Sequence, residues 1–211
     1  MQKKGMLIKA VILAAAAAGF AIVMCMVMNN SIDQLDTRIA AAVYSIRSAD
    51  LSIVMEGITY LGNWEAIVIV CILLLAYPDM WKDWGLPAAG AAVTAQLIKS
   101  VIKPIVHRPR PDVSLHLIEQ GGWSFPSGHA ITSMALYGIL FFIILANMEK
   151  SAKKTALLIL TAVLSFMIGI TRIYLGVHFP SDVLAGWLGG IAVIAGVLMI
   201  RDAVRIRMSS R

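Results

Sequence analysis

Six apolar runs, each close to the length that crosses a bilayer, limit what this chain can fold into. They cover Leu7–Met28, Trp64–Met80, Leu86–Ile105, Gly128–Asn147, Thr155–Thr171 and Val183–Ile200. A helix needs about 20 mostly apolar residues to span the hydrocarbon, where every backbone group must be satisfied internally. Hydrophobic residues make up 59% of the 211 residues, far outside the range of a soluble domain. The pattern predicts an all-α integral membrane protein with six transmembrane helices, forming a single membrane-embedded domain over residues 1–211.

The segments between the runs refine this picture. Leu7–Met28 follows a short basic start and fits a secretory signal, but its apolar core is long and no clear cleavage site follows. A retained first span is expected. In Asn29–Asp50, Ile32, Leu35, Ile39, Val43 and Ile46 recur at helical spacing, with Asp33, Asp36, Arg38 and Arg47 off that face. This predicts an amphipathic helix at the outer interface or capping the bundle. A short outer helix near 51–61 precedes the second span, and residues 78–85 read as a loop. Gly186 and Gly190 have the spacing of a close helix contact. Cys25 and Cys71 lie in apolar runs and are expected to be buried packing residues without a disulfide.

Charge sets the expected orientation. The formal charge of +6 is scattered at span ends, which speaks for headgroup contact and topology rather than nucleic acid. Lysines and arginines near both termini and in the loops at 82 and 150–154 put those parts in the cytoplasm. The opposite, extracytoplasmic side still holds Lys99, Lys103, Arg108, Arg110 and Arg172. Topology does not need cations there, whereas anion binding does.

Three stretches on that side carry chemistry. Lys103–Pro111 places Lys103, Arg108 and Arg110 among Pro104, Pro109 and Pro111, which are expected to stiffen the chain and end the helix. The bland alternative is a basic anchor at the headgroups. Phe125–His129 puts Ser127 at a helix cap, and Gly128 leaves the free amides of that helix start open to an anion. His129 follows on the same helix. In Thr171–Asp182, Asp182 stands four residues after His178, and Pro180-Ser181 looks like a helix start. The carboxylate could fix the imidazole tautomer as in a catalytic triad, or the pair could simply cap a loop. Arg172 offers a planar fork for phosphate, or an anchor for its helix.

Together these stretches, Lys103–Pro111 (K-x6-R-P), Pro126–His129 (P-S-G-H) and Arg172–Asp182 (R-x5-H-x3-D), resemble the three ordered signatures of the type 2 phosphatidic acid phosphatase superfamily. That family includes bacterial phosphatidylglycerophosphate and undecaprenyl-pyrophosphate phosphatases, vanadium haloperoxidases and the glucose-6-phosphatase catalytic subunit. The motifs span about 80 residues of the chain, and the six spans match the membrane branch. The third signature usually begins Ser-Arg. Here it is Thr171-Arg172, which keeps a hydroxyl.

The resemblance implies a metal-independent, cofactor-free lipid phosphatase of the bacterial cytoplasmic membrane with its site on the extracytoplasmic side. His178 would be the nucleophile that becomes a phosphohistidine, Asp182 its orienting partner, and His129 the general acid and base. Lys103, Arg110, Arg172, Ser127 and Gly128 would bind the phosphate. A metal site on His129, His178 and Asp182 is disfavoured by the surrounding cations. The expected substrate is a membrane lipid with a phosphate or pyrophosphate headgroup. Undecaprenyl pyrophosphate comes first, with phosphatidylglycerophosphate and phosphatidate as rivals. A lipid phosphotransferase and a non-catalytic lipid transporter are the alternatives. Arg108 is expected to be an accessory phosphate contact.

Overall fold

The computed structural model describes residues 2–209. Met1, Ser210 and Arg211, the last among the tail cations used for orientation, lie outside the described residues. Among the described residues eight α-helices follow one another: α1 (Gln2–Met28), α2 (Asp33–Tyr44), α3 (Ala49–Tyr60), α4 (Trp64–Ala76), α5 (Leu86–Val106), α6 (Gly128–Asn147), α7 (Ala152–Tyr174) and α8 (Pro180–Ser209). A π-helical turn, Trp81–Gly85, leads directly into α5, and a 3-10 turn covers Val113–Leu115. There is no strand among the described residues.

Five helices, α1, α5 with its leading turn, α6, α7 and α8, are long and apolar enough to cross a membrane. The sixth span differs from the expected Trp64–Met80. Helix α4 has only 13 residues, about 20 Å at 1.5 Å per residue against a core of roughly 30 Å. It reaches span length only together with α3, from which it is bent by 46°. The break falls at Leu61–Asn63. At its other end, Pro78 drives Tyr77 into extended geometry (ψ 117°) and stops the helix. The expected loop at 78–85 is partly helical, because Trp84 and Gly85 both donate to the Met80 carbonyl.

Helix α6 is the axis of the bundle, buried nearly throughout and packed by α5, α7 and α8. Its contact with α8 is close because of glycine. A Cβ on Gly186 would lie 2.7 Å from Ala130 Cβ and 3.0 Å from the Ser127 carbonyl, and one on Gly190 would lie 2.6 Å from Met134 Cβ. The predicted small-residue contact therefore joins α8 to the first turns of α6. Helix α1 packs along α8 at the edge of the bundle, where Phe20 meets Phe125 at 5.8 Å. The starts of α1 and α5 and the end of α8 share one face, joined by Lys9–Asp202 and by Asp83 with Arg201 and Arg205.

Helix α2 forms where the spacing predicts it, with its residues divided between the bundle and the outside. Asp36 and Ala40 face the bundle and are buried, while Leu35, Ile39 and Ile46 are exposed. The apolar stripe is thus split: Ile32 and Val43 pack on the bundle, Leu35, Ile39 and Ile46 point outward, and the inward face also carries a carboxylate. After α2, Arg47 donates to the Tyr174 carbonyl through Nε (2.9 Å) and Nη2 (2.6 Å). The Tyr174 hydroxyl lies 3.1 Å from the Ser48 amide and 3.0 Å from Ser52 Oγ. These bonds fasten α2 and α3 to the end of α7. Cys25 is also exposed and only Cys71 is buried, so the expectation of two packed cysteines holds for one of them.

The Gly186 contact leads to a prediction. Gly186→Ala forces α8 away from the start of α6, and overpacking of this kind costs about 1–3 kcal/mol. The expected result is a lower melting temperature in detergent with reduced activity, because Asp182 lies one turn earlier on the same helix.

Candidate active site

Lys103, Arg110, Gly128, His129 and His178, which lie far apart in sequence, line one cavity of about 730 Å³. Three local features bring them together. Helix α5 runs through Pro104, rather than ending there, and stops at His107, which takes a left-handed conformation (φ 49°). The chain then folds back across the helix ends, with the Ser124 amide on the Arg108 carbonyl at 2.8 Å. Ser127 caps α6 by accepting from the Ala130 amide at 3.4 Å, and its own amide donates to the Asp182 carbonyl at 3.0 Å. The starts of α6 and α8 are thereby held side by side.

His178 sits in the turn between α7 and α8 and is 2% exposed. Its Nδ1 lies 3.3 Å from Asp182 Oδ2, and its Nε2 lies 3.1 Å from Arg110 Nη1. A guanidinium can only donate, so Nε2 is the acceptor and the proton resides on Nδ1, directed at Asp182. Burial pushes the His178 pKa down to about 3, outweighing the opposite pull of Asp182. At neutral pH the ring is therefore uncharged, with a lone pair on Nε2 at the cavity wall.

Asp182 stands behind this ring and is fully buried. It occupies the third position of α8 and reaches back to accept the Phe179 amide at 2.9 Å, as the acidic member of a capping box does. Its Oδ2 also accepts from the Ser124 hydroxyl, and its Oδ1 accepts from Arg108 Nη1 at 2.8 Å. Ser124 was not singled out by the sequence. It precedes the second signature and looks like an ordinary loop serine.

His129 faces the same cavity from the first turn of α6. Its Nε2 lies 2.8 Å from Asn63 Oδ1. Asn63 comes from the break between α3 and α4, so the bent helix pair delivers a polar partner to this imidazole. Gly62 makes the approach possible, because a Cβ there would lie 2.4 Å from Ile168 Cγ2 and 3.0 Å from His129 Cδ2. Gly62 and Asn63 interrupt an apolar run in the sequence, but no spacing ties them to His129.

The cations divide into groups. Lys103 reaches the cavity and donates to the Trp123 carbonyl. Lys99 lines it too, and its chain crosses the start of α6 where a Cβ on Gly128 would meet Lys99 Cδ at 2.6 Å. The space that Gly128 frees is therefore occupied by a lysine. The i, i+4 spacing of Lys99 and Lys103 was the available signal for this extra cation. Arg110 holds the loop through the Gly121 and Gly122 carbonyls as well as contacting His178. Arg172, almost fully buried, extends to Thr59 Oγ1 (2.9 Å) and to Gln120 Oε1, and its Nε has no partner. It borders an adjoining cavity that shares Asn63 and Gln120 with the first.

Some expectations are corrected here. Arg108 is not placed as a phosphate contact, because both its terminal nitrogens are taken by Asp182, Ser181 and Asp36. The Thr171 hydroxyl donates to the Ile168 carbonyl of its own helix at 2.7 Å and does not face the cavity. The Ser127 hydroxyl accepts at the helix cap, as expected. His107 packs edge-on against Trp123 at 4.8 Å, and His116 Nε2 meets the Pro111 carbonyl at 3.0 Å, which gives both histidines a place in the loop.

Comparison with known proteins identifies the family. Residues 84–205 match the PAP2 superfamily. The chain is 32% identical over 177 residues to phosphatidylglycerophosphatase B of Bacillus subtilis (strain 168), covering 82% of this chain and 86% of that one. It is 31% identical over 156 residues to decaprenylphosphoryl-5-phosphoribose phosphatase of Mycobacterium tuberculosis (strain CDC 1551 / Oshkosh), covering 71% and 77%. The fold superposes on the crystal structure of the first transmembrane PAP2 type phosphatidylglycerolphosphate phosphatase from Bacillus subtilis with a TM-score of 0.80 and 29% identity, over 91% of this chain and 96% of that one. With its three signatures gathered around one buried histidine, the chain belongs to the PAP2 superfamily and is a multi-pass membrane phosphatase.

Proposed function

We propose that this protein hydrolyses a phosphate or pyrophosphate group on a membrane lipid through a phosphohistidine at His178. The observation that supports this most is the two-sided character of the cavity. One end presents Lys99, Lys103, Arg110, His129 and His178, and the other is walled by Trp64, Val68, Val93 and Leu97 of α4 and α5. Those four apolar residues are themselves exposed. The cavity is thus flanked by lipid-facing side chains, and a substrate tail can remain in the hydrocarbon while its headgroup meets the cations.

In the first step the His178 Nε2 lone pair attacks phosphorus and the bond to the leaving oxygen breaks. Arg110 moves from Nε2 to a phosphate oxygen, so the substrate inherits a hydrogen bond that the free site already makes. His129 gives its proton to the leaving oxygen. Lys99, Lys103, Arg110 and Arg172, with the Gly128 amide at the helix start, hold the equatorial oxygens as charge develops. The Ser127 hydroxyl contributes indirectly, by fixing that helix start. In the second step His129 takes a proton from water, the new P–O bond forms and the N–P bond breaks. The cations supply the positive charge that a divalent metal would otherwise bring, which supports a metal-independent reaction.

Phosphatidylglycerophosphate has the most support as substrate, since the Bacillus subtilis relative named for it aligns along most of its own length. Undecaprenyl pyrophosphate, first choice on the sequence, shares the same headgroup chemistry and belongs beside it in any assay. The positive-inside pattern supports a site on the extracytoplasmic face with both termini in the cytoplasm.

Three results are expected. Phosphate release from phosphatidylglycerophosphate, undecaprenyl pyrophosphate or phosphatidate continues in EDTA; loss of activity that a divalent metal restores would refute the metal-free step. His178→Ala lowers kcat by roughly 1,000-fold or more, and acid quenching of the variant traps no phosphoenzyme. Asn63→Ala lowers kcat by about tenfold with KM little changed, because it frees the acid-base imidazole rather than a binding group. A change in KM alone would assign Asn63 to substrate binding.

A further inference from the structure

The mechanism above leaves one buried charge unused. Asp36 projects from the interfacial helix α2 into the protein and is only 1% exposed. It touches no cavity residue. Its Oδ1 accepts the Ser181 amide at 2.8 Å, and its Oδ2 accepts the Ser181 hydroxyl at 2.5 Å and Arg108 Nη2 at 2.7 Å. Arg108 then reaches Asp182 Oδ1 with its other terminal nitrogen, at 2.8 Å. The guanidinium also covers the Phe179 ring at 4.2 Å. A planar fork with two partners is thus fixed between two carboxylates.

The charges in this group do not cancel. Two buried carboxylates share one guanidinium, so one negative charge remains over, and the group ends at His178. Asp33, the other acid near Arg108, is 3.4 Å away with an exposed side chain, and contributes little at such a position. On the cavity side, His178 faces a cation, Arg110. When Nε2 takes the phosphoryl group with a proton still on Nδ1, the ring becomes positive. It then needs a carboxylate whose charge is not already neutralised. With Arg108 paired to Asp182 alone, that charge would be largely matched before the reaction began.

We infer that Asp36 is a positioning residue for the reaction: by sharing Arg108, it leaves the negative charge of Asp182 incompletely matched and aimed at His178 while the phosphohistidine forms. The inference rests on the reading of His178 as the nucleophile. Asp36 acts through Arg108 and touches neither substrate nor reacting atoms. It also gives α2 a role in catalysis, because this helix supplies the counter-charge from outside the three family signatures.

The test compares the full-length protein in detergent as wild type, Asp36→Asn, the double variant Asp36→Asn/Arg108→Gln and His178→Ala. Each is measured for melting temperature, kcat, KM and trapped phosphoenzyme. Asp36→Asn should lower kcat about tenfold or more with KM within about twofold, and should reduce the trapped phosphoenzyme. The double variant removes one charge of each sign and restores the net charge of the group. It should recover most of the lost kcat, which a merely structural defect would not do. A double variant that fails to fold, or turns over no faster than Asp36→Asn, overturns the inference, as does an Asp36→Asn enzyme with wild-type kcat. If Asp36→Asn itself does not fold, the double variant decides alone, and must reach within about tenfold of the wild-type kcat. A wild type that forms no phosphoenzyme, or a His178→Ala variant that keeps its activity, would instead overturn the reading of the site and the inference with it.

Discussion

The Asp182 carboxylate is the fixed point on which this end of the helix bundle depends. A buried carboxylate is tolerated only when its lone pairs are filled by well-placed donors. Here the donors come from the turn before α8, from the loop after α5 and from the serine ahead of α6. Each loop must reach one particular place to supply its bond. The return of the loop across the helix ends, the height of α8 against α6 and the tautomer of His178 are therefore parts of a single solution. The glycines of α8 serve it as well, since they let Asp182 ride close to the α6 start.

How much of this was legible depends on the interaction involved. The spans were readable because length and apolarity are local properties. Pro180 and Ser181 announced a helix start, and the i, i+4 spacing placed Asp182 within reach of His178. Partner choice was not readable. Arg108 and Arg110 are two residues apart, with the same chemistry, yet one holds Asp182 from behind and the other meets His178 in front. Spacing cannot tell which side of a folded loop each will take. Asn63 was visible only as an interruption in an apolar run, since its partner lies 66 positions away.

Helix α2 shows why amphipathic reasoning changes meaning near a membrane. In water, the apolar face of a helix seeks the protein core. Beside lipid, both environments are apolar, and the pattern no longer says which one a face will take. The inward face of α2 combines Ile32, Ala40 and Val43 with a carboxylate that meets an arginine and a serine. Similarly, the second span differs from the straight Trp64–Met80 helix that apolarity alone suggests. The protein uses a broken pair, and the polar residue at the break, Asn63, meets His129.

The exposed apolar wall of the cavity has a consequence for how the enzyme meets its substrate. Trp64, Val68, Val93 and Leu97 are exposed on the outside of the helix bundle, so on the proposed reading a lipid substrate would arrive by lateral diffusion in two dimensions. The quantity that governs saturation is then its mole fraction in the bilayer or micelle, not its amount per volume of buffer. Adding inert lipid or detergent at constant total substrate dilutes the surface and slows turnover, although the bulk concentration is unchanged.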